Sequence, residues 1–249
     1  MKKVLFAALA MTTMFSCKKE NKKTEFEGSK VNFHQGQTWT TYRTDKDGNP
    51  QQLTLSLDNR VMNSVLTAGS GTHSHDNTVS VPLPQEALSK LPFKFVMLDW
   101  ALNGHDPAGV YDKAHFDMHF YMVTPQEVDG YTDMPTMTQP VPAGYMPANY
   151  VAGPPVPKMG THWIDITSPE FTGGGFTQTF LYGSYDGKVV FYEPMITHEF
   201  LRNTNKAEKT IPQPEKFANA GFYPTKMTIG KKGTNVEISL EGFQYRQAN

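Results

Sequence analysis

The segment His115-Phe116-Asp117-Met118-His119-Phe120-Tyr121-Met122 alternates chemistry-bearing and apolar side chains with a period of two. A strand sends successive side chains to opposite faces, so His115, Asp117, His119 and Tyr121 share one face and Phe116, Met118, Phe120 and Met122 the other. One face suits a core. The other collects imidazole, carboxylate and phenol groups, and imidazole is the side chain whose charge changes most easily near neutral pH. Two further residues point the same way. His162 shares a face with Ile164 and Ile166 in Gly160–Ile166, and Glu193 alternates with Val189 and Phe191. A carboxylate on an otherwise apolar face must be paired, liganded or protonated.

Three imidazoles and a carboxylate suit one divalent transition metal, with His115, His119, His162 and Glu193 as its ligands. An open position would allow Lewis-acid or redox chemistry. His105, in the loop Asn103–Gly109 that delivers the chain into the focal strand, Asp117 and Tyr121 are further candidate ligand-binding residues. Geometry sets a condition. At about 3.3 Å per residue the Cα atoms of His115 and His119 lie roughly 13 Å apart, so a shared ion requires a bulge or bend near Asp117. In a regular strand Asp117 meets only one neighbouring histidine at a time, as a ligand or as the acceptor that orients the ring. The alternative for the same residues is a hydrogen-bonded polar network inside a barrel or at a subunit interface, with neither metal nor turnover. His73 and His75 sit in Gly/Ser/Thr-rich sequence and read as solvated loop histidines. There is no Ser-His-Asp spacing, nucleophile elbow, phosphate loop or dinucleotide fingerprint.

The elements that must position these groups are mostly strands. Thr38–Thr44 and Gln52–Leu57 flank a dense turn cluster, Asp45–Pro50, and predict a hairpin with one buried face. Phe93–Trp100 is apolar at nearly every residue and predicts a buried strand. Phe176–Tyr185 and Lys188–Glu193, joined by Asp186-Gly187, form the clearest hairpin, and Thr225–Ile229 with Val236–Leu240 a last one. Leu57–Leu66 is ambiguous, a short helix being one reading of it, and short helices are expected after the capping box Thr124-Pro125-Gln126-Glu127, and at Thr197–Arg202 and Pro214–Ala218. Seven prolines fall within 131–157. A connection that long predicts an arm, a lid or an oligomer contact. The fold class is mainly β, an antiparallel β barrel or sandwich with a few short helices, in a single domain over 31–249.

The start of the chain carries an address. Lys2 and Lys3 precede a short apolar run, so 1–16 reads as a signal peptide. Ser16 precedes Cys17, the single cysteine. A small residue and then cysteine after the apolar run resembles the bacterial lipoprotein signal, which makes Cys17 the lipidation site and the membrane a partner through that lipid. The charged stretch that follows predicts a flexible tether over 17–30. The expected location is the cell envelope, on the outer-membrane or periplasmic side. A formal net charge of −1 gives no basic field for nucleic acid.

Taken together, Asn103–Tyr111, His115–Tyr121, Pro142–Tyr145, Met159–Trp163, Tyr182–Gly187 and Glu193–Met195 resemble an uncharacterised bacterial extracytoplasmic family. Its best-known member is a Thermus protein under extracytoplasmic sigma and anti-sigma control. The resemblance spans roughly Trp39 to Arg202 and leaves the tail after Asn203 outside. It implies a β-rich fold, an extracytoplasmic placement and a sizeable homo-oligomer. The functional expectation is a homo-oligomeric envelope lipoprotein that binds a small ligand or metal, with a stress-related role. The rival is a cupin-like metal-dependent enzyme using the His/Glu site.

Overall fold

Period-two alternation becomes two packed sheets. The structure is a computed structural model that describes residues 24–67 and 77–249. The signal-peptide, Cys17 and His73/His75 readings lie outside the described residues. Among the described residues the first strands are β1 (Glu25–Glu27), β2 (Val31–Phe33), β3 (Gly36–Thr44), β4 (Pro50–Leu57) and β5 (Thr78–Pro82). Next come β6 (Phe95–Ala101), β7 (His115–Tyr121), β8 (Tyr150–Val156), β9 (Gly160–Asp165), β10 (Gln178–Tyr185) and β11 (Lys188–Thr197). The chain closes with β12 (Lys206–Thr210), β13 (Gly221–Tyr223), β14 (Lys226–Lys232), β15 (Asn235–Glu241) and β16 (Gln244–Arg246). Five short α-helices intervene: α1 (Asn59–Ser64), α2 (Gln85–Leu88), α3 (Pro125–Asp129), α4 (Met134–Met137) and α5 (His198–Asn203).

One sheet runs β1-β3-β4-β15-β14-β12 with β2 also on β3, the other β5-β6-β7-β11-β10-β9-β8, and β13 pairs with β16. Neither large sheet closes on itself, so of the two expected architectures the structure is the sandwich. Its core is filled from the first sheet by Tyr42, Leu53, Leu55, Ile229 and Ile238, and from the second by Val96, Leu98, Trp100, Phe116, Met118 and Phe120. Each large apolar side chain enclosed in this way contributes about 1.5–3 kcal/mol. The apolar face of β7 is therefore what fixes its opposite face in place.

Three expectations need correction. β1 pairs with β3, Glu25 opposite Arg43 and Glu27 opposite Thr41, and Phe26 packs against the core. The tether drawn over 17–30 thus overran the domain, because backbone pairing and one aromatic hold Glu25–Glu27 in the sheet. The arm drawn over 131–157 is in part an edge strand, since β8 pairs with β9 despite Pro154 and Pro155. An edge position tolerates proline because one side of the strand needs no ladder donor. No helix forms at Pro214–Ala218. The tail after Asn203, which lies outside the resemblance, supplies β12, β14 and β15, with β15 lying between β4 and β14.

Candidate metal centre

The site lies on the face of the second sheet that points away from the sandwich core. Register puts Asp99 opposite Asp117 and Met97 opposite His119 across β6 and β7. On the other side, Phe191 faces Tyr121 and Met195 faces Asp117, with Glu193 between them on β11. His162 faces Gly183 across β9 and β10. All seven residues of β7 are buried, so the polar face is roofed rather than washed by water. Two apolar clusters make the roof supports. Phe95, Tyr121, Val128, Tyr131 and Phe191 form one, and Tyr111, Ile164, Phe176, Leu181 and Met195 the other.

Between these clusters the titratable groups fall into two triads. In the first, His115 Nε2 lies 3.0 Å from Asp117 Oδ1 and 3.0 Å from His105 Nε2, which is itself 3.5 Å from Asp117 Oδ2. In the second, His119 Nε2 lies 3.4 Å from Glu193 Oε1 and 3.4 Å from His162 Nε2, which is 3.5 Å from Glu193 Oε2. Within each triad the donor atoms all lie within 4.8 Å of one another. The expected single ion shared by His115, His119, His162 and Glu193 is corrected by this division. β7 is regular, as its unbroken pairing with β6 shows. No bulge shortens the distance, and each histidine recruits partners from its own side. Tyr121 joins neither triad. It stacks on Phe95 with ring centroids 5.0 Å apart, inside the apolar cluster.

The ring orientations are set from behind. His115 Nδ1 donates to the Lys113 carbonyl oxygen at 2.6 Å, and His105 Nδ1 to that of Asp106 at 2.8 Å. A carbonyl only accepts, so both Nδ1 atoms carry hydrogen and, in the neutral rings, both Nε2 atoms present bare lone pairs. His119 Nδ1 faces Asp99 Oδ2 at 3.3 Å, and Thr78 donates its hydroxyl to Asp99 Oδ1. Asp99 escaped the sequence reading. Its signal was the one used for Glu193, a lone carboxylate in the apolar run Phe95–Trp100.

The electrostatics show a site asking for positive charge. Asp117 Oδ1 and Glu193 Oε2 are buried and face the histidine rings of their own triads at 3.0 and 3.5 Å. Burial works against charge on His105, but Asp117 outweighs it and the ring is pushed up to about 9. Burial likewise opposes charge on His119, while Glu193, Asp99 and Asp117 override it, again to about 9. Burial raises Asp117 too, yet His115 and His105 hold it well below the usual carboxylate range. Glu193 is pushed up to about 8, first by burial and then by Asp117 and Asp99, against the pull of His119 and His105. Protons gather where ligand lone pairs converge, and a metal ion competes for the same lone pairs.

Both triads border one cavity of about 290 Å³. Asp117, His119, His105, His162 and Glu193 line it together with the apolar Pro155, Val156, Met159, Ile164 and Leu181, and with Asp106 and Tyr111. The loop carrying His105 depends on Gly104, which has φ +71° and whose added Cβ would fall 2.0 Å from the Tyr111 carbonyl oxygen. Gly183 serves the second triad. The Phe191 ring lies over it and packs edge-on against His119 at 5.0 Å between centroids. No protein-family model, curated protein or solved structure matches this chain.

Proposed function

We propose that this chain is a divalent-metal-binding protein of the cell envelope, with one ion held by His105, His115 and Asp117 and a second by His119, His162 and Glu193. Two imidazole nitrogens and one carboxylate oxygen per triad suit a transition metal. The observation that carries the reading is the convergence of acceptors: His105 Nε2 and His115 Nε2 meet at 3.0 Å with both Nδ1 atoms already committed to carbonyl oxygens. In the neutral rings two lone pairs face each other beside a carboxylate and repel unless a proton or a metal cation sits between them, so a metal ion would take the place that the His105 proton otherwise holds. Elemental analysis of protein purified without an affinity tag tests this. Two equivalents of metal per chain are expected, and a chain that neither retains nor takes up metal at micromolar concentration overturns it.

The address rests on the sequence. The signal-peptide pattern over 1–16, lipidation at Cys17 and the extracytoplasmic resemblance support an anchored envelope protein, and inhibition of processing by globomycin is the check. Exposed Val151 and Ile166, at and beside the β8–β9 edge, support self-association, which light scattering of the mature chain measures. A metal-dependent enzyme of cupin-like logic is the second reading. It is favoured by the three-ligand triads opening on a cavity, as catalytic metal sites do and closed structural sites do not. A cobalt-loaded protein with the weak visible absorption of five- or six-coordinate ions supports that reading, and intense four-coordinate bands with no response to added ligands count against it.

A further inference from the structure

We infer that the cavity between the two triads binds a small organic oxyanion, with its oxygens directed at the two ions and its apolar body against Val156, Met159, Ile164 and Leu181. The inference rests on the metal-binding reading and adds the ligand class. Charge is the first reason. Two divalent ions would bring more positive charge than the three buried carboxylates, Asp99, Asp117 and Glu193, can balance. Excess charge in a roofed, poorly solvated space is costly unless an anion enters with it. Asp106, the other acidic residue at the cavity, is exposed at its rim, where water screens it.

The walls are the second reason. Among the described residues no lysine or arginine lines the cavity, and the side away from the triads is apolar. Besides the ions, only the triad imidazoles and the Tyr111 hydroxyl could meet the charge of an anion entering here, and its remaining surface meets hydrocarbon. A fully hydrated inorganic anion would leave that wall without a partner, whereas a short aliphatic tail covers it. The volume of about 290 Å³ limits the guest to a small molecule. The way in passes His105 and His162, whose side chains keep 30% and 15% of their surface exposed while the other four triad members keep 5% or less. Without metal the charge on His105 and His119 is matched by Asp117 and Asp99, so the cavity offers an anion no net positive charge and binding must depend on the ions.

Butyrate and formate are suitable probes because they share a carboxylate and differ in tail. The full mature chain is stripped of metal, reloaded with cobalt(II), and titrated with each by calorimetry and by the cobalt visible spectrum. Butyrate should shift the spectrum and bind at least about tenfold more tightly than formate, since each buried methylene adds to affinity. The apoprotein should bind neither. A loaded protein that keeps its cobalt but ignores butyrate overturns the inference while leaving the metal reading intact. Equal binding by the apoprotein, or formate binding as tightly as butyrate, overturns it as well. Failure to retain cobalt removes the metal reading itself, and the inference with it.

Discussion

His105 Nε2 and His115 Nε2 lie 3.0 Å apart, although one ring comes from a loop and the other from the start of β7. Each is held from behind by a main-chain carbonyl, so neither can rotate away without losing that hydrogen bond. The loop has in effect been folded back to place a second imidazole on the first, and Asp117 closes the group from the same strand. Four residues along, His119 repeats the arrangement with partners from β9 and β11. The two groups share a cavity but no ligand.

That division makes the first prediction. His115→Ala should remove one of two metal equivalents and leave the other, and His162→Ala should do the same for the opposite site. The double variant should bind none. Elemental analysis with a thermal melt for each variant decides it, and loss of both ions in either single variant would show one shared centre instead.

Gly104→Ala should act on the first triad only. The added methyl would stand 2.0 Å from the Tyr111 carbonyl oxygen, at a backbone φ of +71°. Relief requires the loop to move, and the strain is worth about 1–3 kcal/mol. The variant should melt modestly lower and lose the ion at His105, His115 and Asp117, while the second equivalent stays. Unchanged occupancy of both sites would mean that the loop does not position His105.

Gly183→Ala tests the other side. A Cβ there would meet the Phe191 ring at 1.9 Å, and that ring packs against both His119 and His162. Overpacking of this kind costs typically 1–3 kcal/mol. Chemical denaturation should register the loss, and metal affinity should fall at the second triad alone.

Much of this is legible in the sequence. The period-two reading of His115–Met122 separated the core face from the polar face, and the Asp186-Gly187 turn, with φ values of +52° and +68°, is the left-handed pair that a two-residue hairpin needs. The isolated acid on an apolar strand pointed to Glu193. The split into two triads was not legible, because it depends on which strands become neighbours, and β11 enters between β7 and β10 only through long-range pairing. Asp99 was passed over inside an apolar run. Tyr121 was given to the site because alternation assigns a face but not what covers each end of it. The final hairpin is legible as a hairpin, but nothing local in β15 reveals that it lies beside β4.

His198 gives a pH prediction independent of the site. Its Nε2 donates to the Met62 carbonyl oxygen at 2.7 Å, and its ring packs against Trp100 and Phe116. Burial lowers its pKa from the ordinary 6.5, and the nearby Arg202 lowers it further, against the opposing effect of the Met62 contact. The unfolded chain therefore binds a proton near pH 6 that the folded chain refuses, so this residue costs stability as pH falls below about 6.5. Melting temperature should drop between pH 7 and pH 5 in the wild type. His198→Gln should melt lower at pH 7, by roughly 1 kcal/mol for the weakened hydrogen bond, and show a flatter decline. An equally steep decline in the variant would assign the acid sensitivity elsewhere.

Asp99 acts through another residue, which makes its substitution the most discriminating. Its Oδ2 faces His119 Nδ1 at 3.3 Å and its Oδ1 accepts from Thr78, so the carboxylate is fixed with its charge behind the ring. A carboxylate in that place keeps the proton on Nδ1 and makes Nε2 a stronger ligand. Asp99→Asn preserves size and an acceptor but removes the charge. Metal affinity at His119, His162 and Glu193 should then fall about 10–100-fold, with the site at His105, His115 and Asp117 unchanged. A purely structural role predicts something else: a lower melting temperature and equal weakening of both sites. Competition with a chelator of known strength, run beside a melt of the metal-free protein, separates the two, since loss of basicity weakens one site without moving that melt downward. Removing the buried Asp99 charge also lowers the electrostatic cost of leaving Glu193 ionised, because Asp99 is one of the groups holding the Glu193 pKa up. The same carboxylate also stabilises the charged His119 ring, so the two effects oppose each other and the metal-free melt should shift little at neutral pH; a large destabilisation there would assign Asp99 to the scaffold instead of the site.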